Sequence, residues 1–432
     1  MKRSSVLTLI RLAAITWACP ALAAHGAADF HATPEHPFGF RGDGSGIFLD
    51  AAPALEWSEK EKKNIRWSTA VGPGYSSPIL TEKRVIVAAE PNLLFCIDRT
   101  DGTVVWKVEI NPTILADEKS RKAAAEYEAP KDGSGMMAAT PVTDGKWVYV
   151  VVANGIVCAL DLDGKVQWNA YIDAEQNTGY GRSASPVFVE SNGSRLLLVH
   201  MTNLYAFDAF SGKQLWVNKD TASTYGTPAV ATLGAATGTG AENFIVTPDG
   251  DLVRVSGSGA VGKRLASDMG HLTHSSPIVV DGVAYFGENS LNAIRLNPVA
   301  KNEELWSGSL AGDVFSSPLV HAGLLWLVTG KGELFAFNAK GKGEQTPSNN
   351  ARLLFGEAEG KGPATYSSLT LAGQHIFITS NRGDTVVFEA TPEAKEVARN
   401  HTLGGTGSSP VFAGSDMFLR AGNNLLCIGK KR

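Results

Sequence analysis

Apolar runs of four to six residues, separated by turn residues, recur from about Ile65 to Ile428, and runs this short favour strands over helices. The clearest stretch is Leu93 to Trp106, LLFCIDRTDGTVVW, in which an apolar run, an Asp-Gly turn and a second run ending in tryptophan predict a β-hairpin. Related stretches follow at Ile156 to Trp168 (IVCALDLDGKVQW) and Leu204 to Trp216 (LYAFDAFSGKQLW), so the hairpin belongs to a repeated unit. Asp98 and Asp208 are placed to accept turn hydrogen bonds, Gly102, Gly164 and Gly212 to permit the turn, and each tryptophan to dock between units.

A second marker also recurs: two small residues, then proline, then an apolar run. Its eight copies are Ser76-Ser77-Pro78, Ala139-Thr140-Pro141, Ala184-Ser185-Pro186, Gly226-Thr227-Pro228, Ser275-Ser276-Pro277, Ser316-Ser317-Pro318, Ser367-Ser368-Leu369 and Ser408-Ser409-Pro410. Proline at the first residue of a strand costs no ladder bond, and small residues before it suit a place where several sheets converge. Proline-to-tryptophan distances of 28, 27, 30 and 29 residues, from Pro78, Pro141, Pro186 and Pro277, give the unit a fixed size. Each unit reads as a four-stranded meander of a β-propeller blade. Leu252 to Val255, Leu334 to Phe337 and Thr385 to Phe388 mark third strands in blades four, six and seven, whose fourth strands carry no tryptophan.

The last blade is one strand short, because the chain stops just after the run Leu425 to Ile428. Trp67 lies 11 residues before Pro78, where the fourth strand of a preceding blade belongs. The expected fold is therefore all-β: an eight-bladed propeller over residues 64–432, closed by the N-terminal strand around Ile65 to Thr69 joining the last blade and covering its exposed edge. One interval departs from the rule. Trp106 to Pro141 spans 35 residues against 11 to 18 elsewhere, and Ala116 to Glu128 is rich in helix formers. A helical insertion at about residues 110–135 is expected, either a lid or docking element or a neutral surface excursion. Ala339 to Arg352 is a shorter polar excursion.

Composition adds bounds. Forty-six glycines, 44% hydrophobic and 19% charged residues describe a turn-rich globular protein. Residues 1–23 read as a signal peptide: Lys2 and Arg3 precede the apolar run Leu12 to Ala18, and Ala21-Leu22-Ala23 offers a cleavage site. That run is too short to span a bilayer, so no transmembrane segment is expected in the mature chain. Thr16-Trp17-Ala18 before Cys19 is a poor lipidation signal. Residues 24–63 show no regular pattern; within them FGFRGDGSGIF, Phe38 to Phe48, reads as a glycine-rich loop laid over the main fold with its phenylalanines buried. Cleavage after Ala23 would remove Lys2, Arg3 and Arg11 from 39 basic residues and none of the 43 acidic ones, taking the net charge from −4 to −7. That balance disfavours nucleic acid as a partner. Cys96, Cys158 and Cys427 occupy the same place in their repeats and are expected as buried free thiols between sheets.

CIDRTDGTVVW, ALDLDGKVQW and AFDAFSGKQLW, together with the Ser-Ser-Pro strand starts, resemble the repeat signature of the PQQ-like β-propeller family, which contains quinoprotein dehydrogenases and the BamB-type outer-membrane assembly factor. FRGDGSG and EWSEKEKKNIRWSTAVGPGYSSPIL resemble the N-terminal part of exported proteins built from these repeats alone. The resemblance runs from about Phe38 to Lys430 and implies a fold more than an activity, since the matching residues are structural. For the enzyme branch it implies an adjacent-cysteine ring near the quinone, a calcium site of acidic and amide groups, and an aspartate base. This sequence has no adjacent cysteines, and no catalytic residue carries over.

His271 and His274 hint at a metal, but two histidines without a third ligand are insufficient. Serine-nucleophile, zinc-protease and phosphate-loop motifs are missing from the sequence. Position gives the remaining candidates. The residue three before each marker proline, or before Leu369, should face the mouth of the central channel: Tyr75, Ala138, Ser183, Tyr225, His274, Phe315, Tyr366 and Gly407. Tyr75, Tyr225, His274, Phe315 and Tyr366, with Arg182 beside them, suit a sugar, a peptide or a planar ligand, or else simply plug the channel. The favoured expectation is a monomeric, non-catalytic, periplasmic or extracellular scaffold without cofactor or metal, whose partner is a protein or cell-envelope component. The alternative is a PQQ-dependent or other small-molecule oxidoreductase using the channel.

Overall fold

A computed structural model describes residues 32–129, 135–173, 181–191, 193–222, 225–234, 240–255, 262–310, 312–346, 352–355 and 364–430. Residues 1–31, including the expected signal peptide and Cys19, and residues 347–351 of the second excursion lie outside them.

Eight antiparallel sheets of four strands surround a central channel, and one of them gains a fifth strand. Blade 1 is Ile79–Leu80, Arg84–Ala89, Leu93–Asp98 and Val104–Glu109, paired in chain order from the axis outward. Blades 2 to 7 repeat that order, with innermost strands Val142–Thr143, Val187–Ser191, Ala229–Gly234, Ile278–Val280, Leu319–His321 and Thr370–Ala372. The second and third strands are buried almost throughout, as in Arg84–Ala89 and Trp147–Val151, because neighbouring blades cover both faces. The fourth strands that the sequence marks weakly are present as Arg264–Ala266, Arg352–Leu353 and Glu396–His401.

Blade 8 closes as expected. Ile65–Ala70 pairs antiparallel with Asn424–Ile428, placing Trp67 opposite Cys427. Arg66 bonds the buried Asp416 of the same blade, adding an ion pair to the seam.

The tryptophans act as joints between blades. The indole N–H of Trp67 donates to Arg99 O in blade 1 (3.1 Å), Trp106 to Leu162 O in blade 2 (2.8 Å), Trp168 to Ala209 O in blade 3 (2.8 Å) and Trp306 to Ala339 O in blade 6 (3.3 Å). Each ring also presses on the next blade's turn. At Gly212, where φ is +70°, a Cβ would approach Trp168 to 2.5 Å, so glycine serves both the turn and the docking of the indole.

The marker residues form a closed ring of hydrogen bonds about the axis. Ser77 N donates to Thr140 Oγ1 (3.1 Å), Thr140 N to Ser185 Oγ (3.0 Å), Ser185 N to Thr227 Oγ1 (2.9 Å) and Thr227 N to Ser276 Oγ (2.9 Å). Ser276 N then donates to Ser317 Oγ (3.2 Å), Ser317 N to Ser368 Oγ (2.9 Å), Ser368 N to Ser409 Oγ (2.9 Å), and Ser409 N returns to Ser77 Oγ (3.0 Å). The second marker residue is therefore a hydroxyl in every blade because it accepts from the preceding blade, beyond being small.

The three cysteines are free and buried, in blades 1, 2 and 8. The described part of the insertion holds a 3-10 turn, Pro112–Ile114, and an α-helix, Glu118–Ala125, capped by Asp117, whose carboxylate accepts from Ser120 N.

The N-terminal segment is more than a cover. Ile47–Phe48 adds a parallel fifth strand to the axial edge of blade 7, and Phe38 exchanges two backbone bonds of 2.9 Å with Thr143 on the axial edge of blade 2. Phe38 is fully buried, whereas Phe40 and Phe48 are half-buried. Between these strands the buried Arg41 donates to Leu369 O at 2.9 Å, and burial pushes its pKa down to about 10.

Candidate functional site

Each innermost strand starts at the hydroxyl ring and runs away from the residues three before the marker proline. Those residues consequently sit on one side of the ring and the N-terminal segment on the other, giving the channel two unlike mouths.

At the first mouth the structure brings four of the predicted rings together. Tyr225 stacks on His274 with centroids 5.5 Å apart and planes 6° from parallel; His274 meets Phe315 edge-on at 4.9 Å, and Phe315 meets Tyr366 edge-on at 5.2 Å. They form a continuous arc over blades 4 to 7. Tyr366 is 44% exposed and Tyr75, the corresponding residue of blade 1, is 45% exposed. Ala138, Ser183 and Gly407 occupy the same level; Ser183 Oγ donates to Tyr225 O at 3.1 Å, and Gly407 lies against the Tyr366 ring.

His274 is held by Glu288, a residue the positional argument passed over. One Glu288 oxygen faces His274 Nδ1 at 3.2 Å, while the other accepts from the backbone N–H groups of Thr273, His274 and Ser275 at 2.9, 3.1 and 3.3 Å. Burial alone would raise the Glu288 carboxyl, but the His274 ring and these amides outweigh it and hold the pKa below the usual range. Glu90 is the counterpart in blade 1: it accepts from Gly135, Met136 and Met137 N–H, and burial keeps its pKa raised. In sequence both appear as a carboxylate ending an apolar run, VIVAAE and VAYFGE.

Arg182 stands apart from the arc. It is buried, donates to Ala153 O at 2.9 Å and lies over the Tyr127 ring at 5.6 Å, so it fastens the end of the insertion to blade 3. Asn154 adds a bond to Ala124 O at 3.2 Å, which docks the helix beside this mouth. His271 and His274 face different carboxylates, Asp249 at 3.5 Å and Glu288 at 3.2 Å, and do not converge.

The second mouth holds a cavity of about 720 Å³ between the N-terminal segment and the inner strands of blades 3 to 5. Its walls include Val187, Val189, Val230, Ile278 and Val279, with Phe40 and Phe48 from the segment.

The residues present do not fit the quinone pattern of the enzyme branch. Cys96, Cys158 and Cys427 lie in three separate blades, and the Glu288 carboxylate is already engaged by three amides and an imidazole. Among the described residues no group of three or more His, Cys, Asp or Glu side chains is placed to hold a metal ion.

Comparison with known proteins agrees with this architecture. The family model described as outer membrane protein assembly factor BamB matches residues 48–259. Outer membrane protein assembly factor BamB from Yersinia pestis is 26% identical over 297 residues, covering 64% of this chain and 68% of that protein. The structure of BamB from Moraxella catarrhalis aligns with a TM-score of 0.54 at 12% identity, over 85% of this chain and 98% of that one. Quinohemoprotein alcohol dehydrogenase ADHIIG from Pseudomonas putida HK5 aligns with a TM-score of 0.59 at 12% identity, over 93% and 81%. At such identities the two structural likenesses show the fold alone.

Proposed function

Taking the chain as a PQQ-repeat, BamB-like propeller, we propose that it is a non-catalytic exported scaffold whose aromatic channel mouth engages a protein or cell-envelope partner. The observation that carries this reading is the arc Tyr225–His274–Phe315–Tyr366, with Tyr366 and Tyr75 half-exposed at the mouth. Exposed tyrosines on a rigid rim give large contact area at low entropic cost, and aromatic residues are enriched where protein surfaces bind. The arc is braced from behind by Glu288, so a partner meets a preformed surface. Among the described residues no helix is long and apolar enough to cross a membrane.

A photo-crosslinking amino acid at position 75 or 366, used in intact cell envelopes, should capture one recurrent species. Tyr75→Ala with Tyr366→Ala should abolish capture through a crosslinker placed on the insertion while leaving the unfolding midpoint near that of the wild type. Unchanged capture by the folded double variant would reject the mouth as the binding surface. The second reading is a PQQ-dependent or other small-molecule oxidoreductase using the channel, since a quinohemoprotein alcohol dehydrogenase shares this fold. Saturable PQQ binding with calcium, accompanied by dye reduction, would replace the scaffold by that enzyme.

A further inference from the structure

We propose that the second mouth is a docking site for an extended cationic peptide, which pairs with the open inner strand edges of blades 3 to 5.

Backbone pairing has a precedent within the molecule. The inner strand is an edge in every blade, and the chain's own N-terminal segment covers two of these edges: Ile47–Phe48 runs parallel along Thr370–Ala372, and Phe38 pairs with Thr143. The inner strands of blades 3, 4 and 5, Val187–Ser191, Ala229–Gly234 and Ile278–Val280, end their sheets with no strand added among the described residues. They border the cavity of about 720 Å³, a volume within the roughly 300–1,000 Å³ of ligand sites. An edge with room beside it accepts a further strand, with the main chain supplying affinity and alternate side chains specificity.

The walls indicate the peptide's chemistry. Val187, Val230 and Val279 are half-buried, presenting apolar surface to the cavity. Four carboxylates line it, Glu35, Asp43, Asp50 and Glu190, while no lysine or arginine does so among the described lining residues. Arg195 approaches Glu190 at 3.6 Å and its charge also reaches Glu35, and the buried Arg41 acts on Asp43, but neither arginine is part of the wall, so four carboxylates stand against two adjoining cations. Successive residues of a strand face opposite ways, so one set of side chains meets the valines and the other the carboxylates. A segment alternating basic and apolar residues satisfies both. This site lies across the hydroxyl ring from the aromatic arc and does not depend on it.

The test uses fluorescence anisotropy with the mature chain and a labelled seven-residue peptide alternating lysine and valine. Saturable binding is expected, with about a tenfold loss in the Asp43→Lys, Asp50→Lys double variant, whose substituted side chains are exposed. Replacing the lysines by glutamate, or methylating alternate backbone nitrogens, should abolish binding, the latter because strand pairing needs the N–H donors. The Tyr75→Ala, Tyr366→Ala variant should bind the peptide unchanged, separating this site from the proposed partner surface. No saturable binding up to about 1 mM would overturn the proposal. So would equal affinity for the N-methylated peptide, or undiminished binding by the folded charge-reversed variant.

Discussion

At the residue scale the hydroxyl ring has the most direct energetic meaning. Each Oγ accepts a buried N–H, and removing one acceptor leaves that donor unsatisfied at a cost of about 1–3 kcal/mol. Ser317→Ala removes the acceptor of Ser276 N–H and should lower stability by this amount, read as a shift in urea midpoint at constant slope. The sequence displayed these positions as small residues before proline; the hydroxyl requirement became legible only from the neighbour each one serves. His200 makes a second residue-scale prediction. Fully buried in blade 3, with neither ring nitrogen bonded, it has its pKa pushed down by desolvation to about 3, against 6.5 in an unfolded chain. Between those values the unfolded state binds the extra proton, so this residue makes stability fall as pH drops from 6.5 towards 3, by roughly 1.4 kcal/mol per unit. His200→Leu should flatten that dependence relative to wild type in denaturation series at pH 7, 6, 5 and 4.

At the element scale the tryptophan joints explain both what the sequence revealed and what it hid. Where tryptophan sits opposite the third strand, as Trp106 does opposite Cys96 and Trp168 opposite Ala159, spacing alone located the blade. In blades 4 and 7 that register position is held by Ala266 and Ala398, so their fourth strands left only a faint trace. The gap beside Ala398 is filled from elsewhere. Trp57 is 4% exposed and packs in the same apolar cluster as Ala398, Phe377 and Leu426, with its backbone N–H bonded to Asn400 Oδ1 at 2.8 Å. Periodicity could not reveal this, because Trp57 lies outside the repeat and its partner is more than 300 residues away. Trp57→Ala should cost about 3–5 kcal/mol, as for other buried aromatic truncations, whereas a merely peripheral segment would show under about 1 kcal/mol in the same urea titration.

At the scale of the whole molecule, the channel is divided by the hydroxyl ring into an aromatic mouth and an acidic one, and its integrity depends on the seam of blade 8. That seam joins Ile65–Ala70 to Asn424–Ile428, and Trp67 reaches on into blade 1. The missing last strand and the spare tryptophan made the closure readable in advance, since both are defects in a regular count. The Arg66–Asp416 pair was not readable, because it depends on the register the closure creates. Its side chains are 10% and 2% exposed, so removing the cation strips a charged partner from a buried carboxylate, at a cost of about 3 kcal/mol. A contrasting pair, Arg84–Asp98 in blade 1, is 28% and 31% exposed, and solvent screening limits it to about 0–1 kcal/mol. Arg66→Ala should therefore destabilise the protein several times more than Arg84→Ala. Hydrogen exchange locates the loss: amides of Leu425, Leu426 and Ile428 should lose protection in Arg66→Ala before those of Ile245 and Val246 in blade 4. Uniform loss around the ring would mean that the propeller opens at no preferred joint, contrary to a seam held by side chains as well as strands.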